Sequence, residues 1–69
     1  MTETKELKRI IKNKGLKYKY VAETLGLTYN GLRQKIENIC EFKASEIRKM
    51  CEILNIGDPE LIDRIFFAN

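Results

Sequence analysis

The sequence contains no histidine or tryptophan, and its 69 residues include only one proline and two cysteines. Without histidine the chain lacks the commonest general base and the commonest metal ligand. Cys40 and Cys51 form neither a CxxC pair nor a disulfide framework, so we expect Cys51 in the core and Cys40 in a loop. The sequence therefore predicts a protein that is not an enzyme and that holds no metal ion, cofactor or small-molecule ligand.

Long apolar runs are missing as well, since the longest, from Ile65 to Ala68, has only four residues. Such a chain is not expected to carry a signal peptide or to cross a membrane, and with so few cysteines it is expected to be reduced and cytoplasmic. Hydrophobic residues make up 43% and charged residues 33%, which is typical of a globular protein. The length predicts one domain over residues 1–69.

Positive charge is concentrated in one part of the chain. Residues 1–50 carry 12 lysines and arginines against 6 acidic residues, whereas residues 51–69 carry 1 against 4, and the net charge is +3. A basic amino-terminal part favours an anionic partner, most often nucleic acid or a membrane surface. Lysines that only solvate a small domain would give the same balance, so charge alone leaves both interpretations open.

Apolar residues recur at helical spacing throughout, and no segment shows the alternation of a β-strand. Gly15 and Gly26 are expected to end the first two helices, Thr2 or Thr4 to cap the first, and Thr28 to cap the third. We therefore predict an all-α fold, a compact bundle of five short helices at about residues 3–14, 18–25, 29–37, 44–54 and 59–66.

Residues 18–36 have the spacing that a helix-turn-helix requires. Ala22 precedes Gly26 by four residues and Leu32 follows it by six, which puts a small residue where two helices would cross and a glycine in the turn. Gly31 would let the start of the next helix approach a duplex. On its outer face, asparagine and glutamine can pair with adenine, arginine with guanine, and threonine can contact a thymine methyl group. The candidate base-contacting residues are Thr28, Tyr29, Asn30, Arg33 and Gln34.

With these motifs the chain resembles the lambda-repressor-like, Cro/repressor-type helix-turn-helix family of phage and bacterial regulators. The resemblance is carried by residues 14–16, 21–28 and Leu32, and the segments 41–47 and 65–68 look like a small phage and prophage branch. It covers nearly the whole chain. It implies a five-helix domain that places its third helix in the major groove of double-stranded DNA, usually as a homodimer on a pseudo-palindromic operator.

The resemblance also implies a set of residues that contact the DNA backbone, namely Tyr18, Lys19, Asn38 and Lys43. The chain departs from the family at two positions. Tyr18 stands where the family usually has glutamine, and Lys17 stands where serine or threonine usually caps the second helix. A tyrosine hydroxyl can still donate one hydrogen bond, whereas a lysine cannot accept one from the helix amides.

The function that the sequence predicts is sequence-specific DNA binding by a transcriptional regulator that occupies an operator. A protein-interaction module of the same fold, such as an anti-repressor or a partner subunit, is the alternative. Phe66 and Phe67 are the candidate dimer contacts, because one helix cannot bury two adjacent side chains against the same face. We expect one of them to close the core and the other to meet a partner subunit, or to belong to a frayed terminus.

Overall fold

The computed structural model describes residues 1–68, and within them it contains five α-helices and no strand. The prediction of an all-α fold is confirmed, and the molecule measures 28 × 24 × 21 Å along its principal axes. The first helix is one residue shorter at each end than predicted, and the third ends one residue earlier. The helices are α1 (Thr4–Asn13), α2 (Tyr18–Leu25), α3 (Tyr29–Ile36), α4 (Ala44–Leu54) and α5 (Pro59–Phe66).

A single core is built from the apolar stripes of all five helices. Burial of these side chains is the main force that holds such short helices together, since isolated helices of 8 to 11 residues are marginal in water. Phe42 packs against the core from the α3–α4 connection, with its ring edge-to-face on Phe66 at 5.6 Å between centroids. The buried apolar residues are Leu7, Ile11, Val21, Ala22, Leu25, Leu32, Ile36, Met50, Leu54, Ile65 and Phe66.

Four of the five helices end in the same way. After each, one residue takes a positive φ, and the amide of the residue that follows donates to a carbonyl five positions earlier. This is the hydrogen-bond pattern of the Schellman motif, which satisfies carbonyls left free at a helix end. The expected roles of Gly15 and Gly26 are confirmed, and two asparagines do the same. The residues with positive φ are Gly15, Gly26, Asn38 and Asn55.

The start of α1 differs from the prediction, because neither threonine caps it. The N-cap is Glu3, which forms no side-chain capping bond. Thr2 is buried, and the Thr4 hydroxyl donates instead to the carbonyl oxygen of Ile36 at 2.6 Å. The Glu3 amide donates to the carbonyl of Ile65, also at 2.6 Å. The first residues therefore tie the end of α3 to α5, and these tertiary contacts have displaced the local cap.

One ion pair joins α3 to α4 beneath the surface. Lys35 Nζ lies 2.5 Å from Glu46 Oε1, and the two side chains are only 12% and 8% exposed. The same oxygen accepts the amide of Lys43 at 2.8 Å, at the start of α4. Burial acts to raise the pKa of Glu46, but the hydrogen bonds from Lys35 and the Lys43 amide outweigh it, and the pKa lies below its usual value.

Candidate nucleic-acid interface

The turn between α2 and α3 fixes how the outer face of α3 is presented. Val21 and Ala22 on one side and Leu32 on the other are buried. Gly26 has a φ of 75°, and the Leu27 amide bonds back to the Ala22 carbonyl at 2.8 Å. The chain thus turns within residues 26–28, and Leu27 packs half-buried against the core.

Thr28 is the N-cap of α3, as predicted. Its hydroxyl accepts the amide of Gly31 at 2.9 Å. A Cβ at position 31 would lie only 3.0 Å from the Thr28 Oγ1 atom, which is tighter than ordinary van der Waals contact. The lack of a side chain at Gly31 therefore has a reason within the fold: it leaves room for the cap. The hydroxyl of Thr28 is occupied as an acceptor and keeps its proton to donate.

The candidate base-contacting residues share one exposed surface. Tyr29 is 51% exposed, and Thr28, Asn30, Arg33 and Gln34 are exposed as well. Within residues 1–68, the side chains of Asn30 and Arg33 form no hydrogen bond or ion pair. Three of these residues line a groove together with Glu37 and Ile39, which we call the α3 groove. Its lining residues are Asn30, Arg33, Gln34, Glu37 and Ile39.

Two tyrosines lie side by side at one edge of this surface. The rings of Tyr18 and Tyr29 are 6.2 Å apart between centroids and tilted by 44°. Burial raises the pKa of Tyr18, although the nearby Lys8 ammonium acts in the opposite direction. Tyr18 therefore stays a neutral phenol at physiological pH and can donate a hydrogen bond to an anion.

An ion pair joins Lys8 on α1 to the end of α3. Lys8 Nζ lies 2.5 Å from Glu37 Oε2, and this contact connects α1 to the residue that caps the end of α3. The two side chains are 44% and 40% exposed, so the pair contributes little to stability. It does neutralise the one carboxylate in the α3 groove. A pair 29 positions apart in sequence gives no local signal.

The four residues predicted to contact the DNA backbone differ in their exposure and in their hydrogen bonds within the chain. Tyr18 is half-buried, whereas Lys19 in the first turn of α2 and Lys43 just before α4 are exposed. The amide of Asn38 is already engaged within the chain. Its Oδ1 accepts the Thr2 amide at 2.7 Å, and its Nδ2 donates to the Thr2 carbonyl at 2.7 Å and to Thr4 Oγ1 at 3.2 Å. The structure thus gives Asn38 a role in holding residues 2–4 against α3.

The two terminal phenylalanines are divided between core and surface. Phe66 is 4% exposed and packs on Phe42, whereas Phe67 is 56% exposed. Of the two candidate dimer contacts, only Phe67 is therefore accessible. The further expectation, contact with a partner subunit, concerns Phe67 alone.

Both cysteines are free thiols that lie outside the buried core. Cys40 is exposed in the α3–α4 connection, as expected, and Cys51 packs half-buried against the core rather than within it. Burial raises the pKa of the Cys51 thiol, which disfavours the nucleophilic thiolate. No cluster of metal-binding side chains occurs among the residues described. No helix in that same part of the chain is long and apolar enough to span a membrane.

Sequence reasoning missed two members of this surface, Glu37 and Ile39. Ile39 is 72% exposed and follows α3. The signal that could have found it is an apolar residue just past a predicted helix end.

Comparisons of the chain with protein-family models, characterised proteins and solved structures found no match.

Proposed function

We propose that the protein is a sequence-specific, double-stranded DNA-binding transcriptional regulator that uses α2 and α3 as a lambda-repressor-like helix-turn-helix. The observation that carries this proposal is the α3 surface. It presents amide and guanidinium side chains that are exposed and, in the case of Asn30 and Arg33, without partners in residues 1–68. Groups of this chemistry pair with base edges in the major groove.

Docking on the backbone would come from groups around this surface. The first turn of α2 has no side-chain cap, because Lys17 offers no acceptor, so its amides are open to a phosphate oxygen. Lys19 and Lys43 add charge, and Tyr18 adds a hydroxyl donor. These contacts set orientation and carry no sequence information, whereas Thr28, Tyr29, Asn30, Arg33 and Gln34 select the sequence.

The regulator would act by occupying its operator rather than by chemistry. A chain of this kind presents one recognition helix, so two copies related by a two-fold axis would bind half-sites about 34 Å apart. The exposed ring of Phe67 is the contact that we propose for the partner copy. Selection of binding sequences from a random duplex library tests the proposal, which requires a two-fold-symmetric motif.

Replacing Lys43 by alanine is expected to weaken binding to the selected operator and to random DNA by the same factor. The reason is that the interaction of a lysine with a phosphate depends on charge and is independent of sequence. The slope of log K against log salt concentration should become shallower by about 0.9 for each phosphate that the protein no longer neutralises. Fluorescence anisotropy over a series of salt concentrations measures both quantities.

Lys14→Ala is the matched control for this variant. Lys14 lines a cleft between α1 and α5 that includes no residue of α2 or α3, so its removal changes net charge without removing a proposed contact. An unchanged salt slope for Lys43→Ala, or an equal change for Lys14→Ala, would remove Lys43 from the proposed phosphate contacts.

A further inference from the structure

Ile39 is the most exposed large apolar side chain among the residues described. Its exposure is 72%, against 66% for Met1 and 56% for Phe67. It belongs to the α3 groove, where its neighbours include three candidate base-contacting residues, Asn30, Arg33 and Gln34. An isolated exposed isoleucine is common on protein surfaces, so exposure alone explains nothing.

The position of Ile39 differs from that of the equivalent residues at the other helix ends. Each of the four Schellman-type ends places an apolar residue directly after the residue with positive φ, where it normally packs back on its helix. Leu16, Leu27 and Ile56 do so, and all three are partly buried against the core. Ile39 occupies the same position after α3, yet it has no place in the core. Three of these four apolar side chains therefore pack against the core, and the fourth does not.

The turn after α3 differs from the other three in one additional backbone hydrogen bond, from the Cys40 amide. The Ile39 amide donates to the Gln34 carbonyl at 2.8 Å, and the Cys40 amide donates to the same oxygen at 3.2 Å. These bonds fold the chain back along α3 instead of letting it run on. Ile39 lines one groove with Asn30, in the first turn of α3, and with Arg33.

We propose that Ile39 is a specificity-determining residue that packs against the C5 methyl group of a thymine, an inference that rests on the DNA-binding function proposed above. The groove surrounds one apolar side chain with amide and guanidinium groups. The edge of a T·A pair in the major groove is its chemical counterpart, because it offers one methyl group beside hydrogen-bond donors and acceptors. The methyl group is the only apolar feature that base edges present there.

The test uses the operator recovered by selection, with each thymine replaced in turn by uracil, which removes only the methyl group. At one position in each half-site, wild-type protein should bind the uracil duplex about fourfold more weakly per contact, the factor expected for one buried methyl group. Ile39→Ser should bind both duplexes equally, whereas Ile39→Val should retain most of the discrimination. Because Ile39 is exposed, these variants are expected to unfold at the wild-type temperature.

The possible results distinguish a failure of the Ile39 assignment from a failure of the DNA-binding function on which it rests. Discrimination at the same position by wild type and Ile39→Ser, or by neither, overturns the assignment of Ile39 and leaves DNA recognition standing. An Ile39→Ser variant that changes only the concentration at which dimers form also overturns it, because Ile39 would then contact a second copy. Failure of the wild-type protein to select any motif overturns both proposals.

Discussion

Replacing Lys35 by methionine is expected to lower the free energy of unfolding by about 2–3 kcal/mol at neutral pH. The substitution leaves the Glu46 carboxylate, 8% exposed, without its cationic partner. Removing one member of a fully buried ion pair typically costs 3–5 kcal/mol, and the loss here is smaller because Glu46 keeps the Lys43 amide and the pair lies close to the surface. Urea denaturation followed by circular dichroism measures the change.

The double variant Lys35→Met with Glu46→Gln is the decisive control. A glutamine oxygen still accepts the Lys43 amide and carries no charge, so the double variant should recover most of the stability that Lys35→Met removes. Arg9→Met, which breaks the exposed pair with Glu6, should cost far less. If Lys35→Met is as stable as wild type, the pair is not a structural link between α3 and α4.

The pH dependence of stability tests the role of this ion pair independently. The pKa of Glu46 in the folded protein is below its usual value, so its stabilising contribution is complete above about pH 4.5 and is lost as the pH falls through the lowered pKa. In Lys35→Met, burial still acts to raise the pKa of Glu46, and Lys35 no longer opposes this effect. The difference in stability between wild type and Lys35→Met should therefore be largest at neutral pH and should narrow in acid.

The second large effect is expected on DNA recognition. Arg33→Ala and Asn30→Ala should each weaken binding to the selected operator by about 1–3 kcal/mol, or roughly 5- to 150-fold, and should leave binding to random DNA nearly unchanged. The reason is that bidentate contacts with a base edge exist only on the correct sequence. Competition binding with operator and random duplexes, for wild type and each variant, measures the two affinities separately.

Arg64→Ala is the matched control for Arg33→Ala. It removes the same charge from the cleft between α1 and α5, away from α2 and α3, and should change the two affinities equally and slightly. If Arg33→Ala weakens operator and random DNA by the same factor, Arg33 is a backbone contact and the assignment of the α3 surface to base selection is wrong.

Much of the fold could be predicted from sequence because its determinants are local. Helical spacing of apolar residues located all five helices to within one residue at each end. Gly26 marked a turn because a positive φ favours glycine, and Thr28 marked a helix start because its hydroxyl can accept an amide three residues on. The separation of Phe66 from Phe67 followed from helix geometry alone.

The expectation that failed concerns a residue whose partner is distant in sequence. Thr4 has the chemistry of a cap, but its hydroxyl bonds to Ile36, 32 residues away. Asn38 has the chemistry of a phosphate ligand, a role that stays a prediction, and nothing in the sequence indicates that its amide also bonds to Thr2 across 36 residues. Local chemistry tells what a side chain can bind, and only the tertiary structure tells which partner it has found.

The residues of the α3 surface were likewise predicted from sequence only in part. Asn30 and Arg33 were identified from sequence because they are polar residues facing away from an apolar stripe. Ile39 was overlooked since an apolar residue after a helix normally packs inward, as Leu27 does after α2. Its exposure depends on what lies beside it in three dimensions, which spacing does not reveal.

Selection from a random duplex library, followed by binding of the recovered sequences at low and physiological salt, tests the central proposal most directly. We expect a two-fold-symmetric motif that is bound far more tightly than random DNA. Strongly salt-dependent binding without a motif would contradict base selection by α3 and leave only a basic surface. Absence of binding under both conditions would contradict DNA binding altogether and favour a protein-interaction module.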